Sequence, residues 1–376
     1  FLGLALLLIT AIGAPFSPVY GVLIAWRVLQ AVSTSTLYPN AIGLVRTYRR
    51  REQGRFLGWI GMSIGIAAAL GPTLGGLLVK TFNWRAIFFV NAPLVLIVAG
   101  LLWWSLKKSR NAADSAPRKK MRAFDWWGTA GFVLGMTAWL LWSNNLTKSW
   151  DWVTLAVAIG LTGAFIFVEK KVSHPVLPVN LFAERRFTLY SIVTVFINII
   201  FYALLFGLPT FLQLHRHWTV MESGLLLFVF SLLMAIGSLL GGKWAQSTMR
   251  RRPLLIAGGI LMVGSLILWR IMVLTTWELI IGVAAVGFSY AISNVVIQKG
   301  VIESVPSSHT GTVAGTYMLL RYLGAIVSAA ILSITLTTVK GSEELFALLA
   351  VLSIVALALT WGIPQGGAPI RTRSDG

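Results

Sequence analysis

A few polar side chains lie inside long apolar stretches of this sequence, and these residues could act on a solute. Arg27 is the first of them, and Gln30, Ser33, Thr34 and Tyr38 follow it. Their helical spacing predicts a polar stripe that lines water or another helix. Because a charge inside a membrane helix is costly, Arg27 is expected to be functional or paired. The alternative is that its side chain snorkels to the outer surface.

A second set of polar and aromatic side chains lies near the middle of later apolar stretches. Lipophilic cations stack on aromatic faces, while a few polar groups orient them. The predicted substrate contacts are Asn198, Tyr202, Tyr290, Asn294, Tyr317 and Arg321. Ordinary helix packing is the alternative for each, and packing is the favoured interpretation of Phe201 and Phe228.

A side chain that carries protons within a membrane must be a carboxylate or a histidine, and few such residues lie in the apolar stretches of this sequence. Six candidates sit at the predicted outer ends of apolar stretches, where a solvated boundary role is favoured: Glu222, Glu278, Glu343, Glu344, His215 and His217. Glu278 is the first of these to test. The sequence has no cysteine and no metal, nucleotide or nucleophile motif, so neither a metal nor another cofactor is expected.

The polar residues must be positioned by helices. The most distinctive predicted helix contains the glycine-rich run from Gly61 to Gly76. In a helix, Gly61, Gly65, Gly71, Pro72, Gly75 and Gly76 would fall within an arc of about 140°. Glycines on one face allow two membrane helices to pack closely. Pro72 removes a helix hydrogen bond, so the same face could instead be a bendable seam between moving bundles.

Composition places the whole chain in a membrane. Of its 376 residues, 57% are hydrophobic and 11% are charged, which predicts lipid as the solvent. About twelve apolar segments can be counted. Most Lys and Arg residues fall in alternate connections, and the positive-inside rule assigns these connections to the cytoplasm. We therefore attribute the net charge of +19 to the cytoplasmic connections between helices and not to a nucleic-acid binding surface.

The first apolar segment is too short to cross a bilayer. Residues 1 to 14 would span about 21 Å as a helix, against a hydrocarbon core of roughly 30 Å. The segment lacks an initiator Met and the basic start and cleavage site of a signal peptide. We therefore expect the sequence to be missing its N-terminus.

Several motifs resemble those of one transporter superfamily. Arg27 with Gln30 resembles the arginine motif in the fourth helix of major facilitator superfamily transporters, and Gly61 to Gly76 resembles the antiporter motif of their fifth helix. The segment WRAIFFVNAP, residues 84 to 93, is similar to the drug:proton antiporter branches. Residues 174 to 191 and 321 to 331 also resemble the fourteen-spanner family of multidrug antiporters.

The resemblance implies an all-α polytopic membrane protein with the major facilitator superfamily fold. Two six-helix bundles would enclose a two-helix insert, with the first two helices missing from this sequence. The implied segments are the rest of the N-terminal bundle (1–106), a basic cytoplasmic linker (107–123), the insert (124–171), a cytoplasmic connection (172–187), the C-terminal bundle (188–364) and a cytoplasmic tail (365–376).

The function implied by the resemblance is proton-coupled export of hydrophobic or cationic drug-like compounds by alternating access. The family commonly uses an acid in its first helix, which would lie in the missing segment. Conformational or proton coupling is then assigned to Arg27, Gln30, Gly61, Gly65, Gly71, Pro72, Gly75, Gly76 and Glu278. The substrate cavity is assigned to Ser33, Thr34, Tyr38 and the second polar set.

The expected partners are a small-molecule substrate, protons and the lipid bilayer of a bacterial cytoplasmic membrane, with no nucleic acid. A monomer is expected, and a periplasmic adaptor is considered as a further partner. Two other functions remain open. One is transport of a single dedicated metabolite, and the other is a membrane-embedded transferase. Such an enzyme usually needs clustered acids or histidines at a membrane face. In this sequence the only such cluster is the adjacent pair Glu343 and Glu344.

Overall fold

Long helices make up the computed structural model of this chain. It describes residues 1–48, 52–108, 126–144, 151–172, 179–246, 251–269, 274–304, 310–336 and 339–364. No strand occurs in these ranges. The all-α prediction is confirmed. The tail (365–376) and residues 109–123 of the predicted linker lie outside the described residues.

The helices are α1 (Leu2–Gly13), α2 (Tyr20–Tyr48), α3 (Gln53–Thr81), α4 (Ala86–Phe89), α5 (Asn91–Lys108), α6 (Trp126–Asn144), α7 (Asp151–Glu169), α8 (Arg185–Tyr202), α9 (Leu208–His215), α10 (Val220–Trp244), α11 (Arg251–Trp269), α12 (Thr276–Glu303), α13 (Thr310–Thr335) and α14 (Val339–Trp361). Short 3₁₀ turns form at Ala14–Phe16 and Val179–Ala183.

Seven helical spans in the described residues are long and apolar enough to cross a membrane, and Leu2–Phe16 and Arg252–Leu268 are shorter apolar helices. The sequence predicts about twelve apolar segments. Helix α2 shows one reason for the difference. Its 29 residues are long enough to cross, but Arg27, Gln30 and a row of Ser and Thr residues lower its hydropathy.

One membrane span is interrupted by a π-helical segment. Helix α8 runs into Ala203–Gly207, and α9 completes the span to His215. Pro209, in the first turn of α9, has no N–H to donate to the preceding turn. A wider turn before the proline is a common way for a helix to accommodate this loss.

The chain divides into two compact units. The first contains Phe1–Leu44 and Gly71–Ala123, and the second contains Val45–Leu70 and Phe124–Gly376. In the first unit, the Trp26 ring covers Gly13, and the Ser33 hydroxyl donates to the Gly3 carbonyl oxygen at 2.6 Å. Helix α2 therefore packs on α1.

In the second unit, α12 lies at the centre and packs against α8, α10, α11 and α13. Nearly all of its side chains from Val286 to Ile302 are buried. Helices α6 and α7 pack on each other, and the Trp139 indole N–H donates to the Thr162 hydroxyl at 3.0 Å. Helix α6 also contacts α13, so this helical pair belongs to the second unit.

Candidate functional site

Arg27 lies on the exposed face of α2 in the first unit. Its Nη1 donates to the Gln30 side-chain oxygen at 3.1 Å. Its guanidinium carbon lies 4.7 Å from the centroid of the Phe88 ring, and Phe88 is buried. A guanidinium over an aromatic face gains a cation–π attraction. The charge of Arg27 is therefore stabilised by a ring and an amide.

The other polar residues of α2 are divided between two faces. Thr34 is exposed, and its hydroxyl donates to the backbone oxygens of Gln30 and Ala31, each at 3.1 Å. Ser33 is buried against α1, so it does not lie on the exposed face with Arg27. Tyr38 is half-buried.

The first half of α3 packs against α10 through small residues. A β-carbon at Gly65 would lie 3.0 Å from both the Ala235 nitrogen and the Ser231 carbonyl oxygen. A β-carbon at Gly61 would lie 2.6 Å from the Ser238 hydroxyl oxygen. The backbones therefore approach too closely for a larger side chain at either glycine. We call this contact the α3–α10 seam.

Two further glycines extend the seam. A β-carbon at Gly58 would lie 2.8 Å from the Ser238 carbonyl oxygen, and one at Gly54 would lie 2.6 Å from the Gly242 carbonyl oxygen. These two glycines and their partners on α10 were not among the predicted site residues. The signal was present, because small residues recur every three or four positions on both helices, which is the pattern of close membrane-helix packing. The seam-forming residues of α10 are Ser231, Ala235, Ser238 and Gly242.

The later glycines of α3 have a different environment. A β-carbon at Gly71, Gly75 or Gly76 would meet no atom within 4 Å among the described residues. Pro72 lies inside α3, and its side chain is outside the described part of the chain. The predicted glycine face therefore consists of a packed part, with Gly61 and Gly65, and an open part that begins at Gly71.

Four of the predicted substrate contacts form one buried hydrogen-bonded chain in the second unit. The Tyr290 hydroxyl donates to the Asn198 side-chain oxygen at 3.0 Å and accepts from the Asn294 amide at 2.9 Å. The Tyr317 hydroxyl donates to the Asn294 side-chain oxygen. The Asn198 amide donates to the Thr194 carbonyl oxygen at 2.7 Å. This polar chain connects α8, α12 and α13.

Aromatic rings cover the polar chain on one side. The Phe201 ring stacks on Tyr290 at 4.3 Å and on Phe230 at 5.9 Å. Tyr202 meets Phe201 edge-on at 4.9 Å and stacks on Phe206 at 6.1 Å. Because Phe201 is buried and Phe206 is exposed, the stack leads from the polar chain to an accessible ring.

Helix α13 packs closely on α8 beside the polar chain. A β-carbon at Gly324 would lie 2.8 Å from the Asn198 β-carbon, so α13 lies directly on α8 at this point. Arg321 is buried one turn after Tyr317 on α13. Of the second predicted set, Asn198, Tyr290, Asn294 and Tyr317 are therefore joined. Phe228, for which packing was the favoured interpretation, is 41% exposed.

Glu278 forms a helix cap at the start of α12. Its carboxylate accepts from the Thr275 backbone N–H and from the Thr275 hydroxyl, both at 2.8 Å. Glu222 forms the same capping box with Thr219 at the start of α10. The Thr-x-x-Glu spacing is a sequence signal for this role. Glu278 also borders a cleft of about 430 Å³, whose other lining residues are Val263, Leu266, Ile267, Leu274 and Ile281.

Lys299 is a buried cation that was not among the predicted site residues. Its Nζ donates to the Ala245 carbonyl oxygen at 2.8 Å and lies 3.5 Å from a Glu303 carboxylate oxygen. Ala245 ends α10, where carbonyl groups lack helical partners and attract a positive charge. Lys299 therefore connects α12 to the end of α10.

These features define a multi-pass helical membrane protein with an arginine in one unit and a buried polar chain in the other. Residues 1–329 match the Major Facilitator Superfamily. The chain belongs to this superfamily and is a membrane transporter. The transferase alternative is therefore dropped.

Its relatives include transporters with different descriptions. The chain is 32% identical to the uncharacterised MFS-type transporter YwoD of Bacillus subtilis, over 88% of this chain and 74% of that protein. It is 25% identical to the multidrug transporter protein MdtP of Bacillus subtilis, over 85% of this chain and 59% of that protein. It is 26% identical to the tetracenomycin C resistance and export protein of Streptomyces glaucescens, over 90% of this chain and 63% of that protein.

Solved structures support the fold. The human organic anion transporter MFSD10 aligns with a TM-score of 0.60 and 17% identity, over 96% of this chain and 75% of that chain. The proton:xylose symporter XylE aligns with a TM-score of 0.60 and 11% identity, over 97% of this chain and 79% of that chain. The predicted superfamily fold is confirmed.

Replacing Gly65 tests the seam. We expect Gly65→Leu to lower the free energy of unfolding by about 1–3 kcal/mol, because the new side chain would overlap the α10 backbone. Thermal unfolding in detergent measures this change. Gly160→Leu is the matched control, since a β-carbon at Gly160 meets nothing within 4 Å. Equal stability of the two variants would contradict a close α3–α10 contact.

Removing one hydroxyl tests the polar chain. We expect Tyr317→Phe to lower the free energy of unfolding by about 0.6 kcal/mol and by no more than about 1.7 kcal/mol, the average and the maximum measured for hydrogen bonds between membrane helices. Tyr322→Phe is the control, because Tyr322 lies on the same helix but is 59% exposed. If both variants unfold like the wild type, the Tyr317 hydroxyl does not stabilise the bundle.

Proposed function

We propose that this transporter exports hydrophobic drug-like compounds, cationic ones included, in exchange for protons across a bacterial cytoplasmic membrane. The observation that carries the proposal is Arg27, a charged side chain kept accessible on an apolar helix by Gln30 and the Phe88 ring. An ionisable residue inside a membrane helix indicates a transport role by default. The relatives described as multidrug or resistance proteins support the drug-like substrate class.

The α3–α10 seam supports alternating access as the mechanism. Small residues in contact can separate without breaking a network of long side chains, so such a seam suits repeated opening. The closely packed glycines lie toward the end of α3 that the positive-inside rule assigns to the cytoplasm. The open glycines lie toward the other end. In the proposed cycle, the packed part of α3 separates from α10 when the substrate cavity switches its opening from one side of the membrane to the other.

The polar chain and its aromatic stack support recognition of a large apolar solute. Tyr202 and Phe206 offer ring faces to an aromatic or cationic compound. Asn198 and Asn294 are already hydrogen-bonded to tyrosines. A substrate would therefore meet a preformed and rigid wall. The proposed unit is a monomer that works with lipid, protons and a small molecule, and a periplasmic adaptor remains an expected partner only by analogy.

The direct test is proton-driven efflux by the full-length protein. We expect Arg27→Ala to abolish accumulation of an amphipathic dye in everted vesicles energised by a proton gradient. Arg55→Ala is the matched control, because Arg55 is also exposed and its guanidinium carbon lies 5.1 Å from the Trp59 ring centroid. Wild-type accumulation by the Arg27 variant would refute the assignment of Arg27 to coupling.

The two capping boxes allow a test of Glu278. Glutamine can replace glutamate in a capping box, so Glu278→Gln and Glu222→Gln are both expected to fold with near wild-type stability. Dye accumulation in the same vesicles then compares the two positions. If Glu278 takes part in proton coupling, only Glu278→Gln loses accumulation. Equal accumulation by both variants would leave Glu278 with a capping role alone.

A further inference from the structure

We propose that Lys299 is a positioning residue for transport, which holds the end of α10 in the place where α3 closes on it. This inference rests on the alternating access of the proposed function and names a residue that controls one of its two states. Lys299 acts through the α10 backbone and not through contact with a substrate. Its place is the end of the α3–α10 seam that the positive-inside rule assigns to the cytoplasm.

Lys299 makes a strong contact because it is a buried charge at the end of a helix. Its side chain is almost completely buried, and its Nζ donates to the Ala245 carbonyl oxygen at 2.8 Å. Ala245 is the C-terminal cap of α10, where the helix dipole is negative. The Glu303 carboxylate, 3.5 Å from the same Nζ, compensates the buried charge. A charge-assisted hydrogen bond that is shielded from water is stronger than a neutral one.

Close packing fixes the α12 side of this contact. Every residue from Val295 to Ile302 is buried. A β-carbon at Gly300, the residue after Lys299, would lie 2.5 Å from a ring carbon of Tyr190 on α8. The backbone that carries Lys299 therefore has little room to move. The hydrogen bond to Ala245 consequently positions α10 on α12, and not the reverse.

The residue that Lys299 holds also faces α3. A β-carbon at Gly54 would lie 3.3 Å from the Ala245 β-carbon and 2.6 Å from the Gly242 carbonyl oxygen. In the other direction, a β-carbon at Gly242 would lie 2.7 Å from the Gly54 carbonyl oxygen. Ala245 is thus bonded to α12 through its carbonyl oxygen and faces α3 with its β-carbon. The position of this one residue affects both contacts.

The seam depends on short distances, so it is sensitive to the position of α10. An extra gap of roughly 0.5–1 Å removes a quarter to a half of a van der Waals attraction. Small residues in close contact form the seam, and a slight displacement of the α10 end would weaken it at Gly54. Loss of the Lys299 hydrogen bond should therefore populate the state in which this end of the seam is open.

Thiol labelling measures how often the seam opens. The 376 residues contain no cysteine, so Ser238→Cys adds one reporter, and any cysteine elsewhere in the full-length protein is replaced by serine. Ser238 is buried against Gly61, so a membrane-impermeant maleimide added to everted vesicles reaches this thiol only when the seam opens. Without a proton gradient or a drug, we expect Lys299→Met to raise the labelling rate by about threefold to tenfold.

Matched variants separate this role from a general loss of structure. Lys243→Met removes an exposed lysine from the last turn of α10 and should leave the rate within about twofold of the wild type. Lys299→Arg keeps the charge and the donors, so it should label more slowly than Lys299→Met. Glu303→Gln keeps the bond to Ala245 and should also have a smaller effect. A thiol at Ser353, which is buried on α14, should react equally slowly with and without Lys299→Met.

Three results would overturn the proposal. The first is that Lys299→Met labels Ser238→Cys no faster than the wild type does. The second is that Lys243→Met or Glu303→Gln raises the rate as much as Lys299→Met. The third is that the Ser353 thiol also reacts faster in Lys299→Met. Labelling requires neither dye nor a gradient, so a failure of the export proposal is distinguished from a failure of the role of Lys299.

Discussion

The hydrocarbon core supplies no water, so every polar group placed there must find its partner within the protein. This constraint accounts for the buried polar chain of the second unit. Asn198 and Asn294 would be costly alone in an apolar helix, and each is hydrogen-bonded to a tyrosine. The same constraint explains Arg27, whose charge is placed over the Phe88 ring. Polar satisfaction therefore determines which helices must be neighbours.

Small residues determine how closely those neighbours approach. Helix α10 has glycines on two faces, and another helix packs closely on each of them. A β-carbon at Gly241 would lie 2.9 Å from the Ile292 α-carbon of α12, and one at Gly242 would lie 2.7 Å from the Gly54 carbonyl oxygen of α3. Lys299 adds a hydrogen bond between α12 and the end of α10. Helix α10 is thus tied to α12 by a polar contact as well as by packing, and this makes it a firm surface for α3.

Local patterns predicted the helices and much of the candidate site, while the pairing of helices needed the structure. Spacing along α2 identified the row containing Arg27 and Gln30, but Ser33 is buried against α1, where its hydroxyl donates to the Gly3 carbonyl oxygen. The sequence also suggested Asn294 and Tyr317 without indicating that they bond to each other. Which glycine meets which helix depends on tertiary packing. Helical spacing can identify a face made of small residues, but it cannot identify the helix that packs against that face.

The two polar sites differ in what they leave available to a solute. In the second unit, the hydroxyls of Tyr290 and Tyr317 are buried and donate to asparagine oxygens, so these donors are used within the helix bundle. In the first unit, Arg27 is exposed, its Nη1 donates to the Gln30 side-chain oxygen, and its guanidinium lies over the Phe88 ring. The two sites therefore differ in burial: the polar chain is buried and connects α8, α12 and α13, whereas Arg27 lies on an exposed helix face.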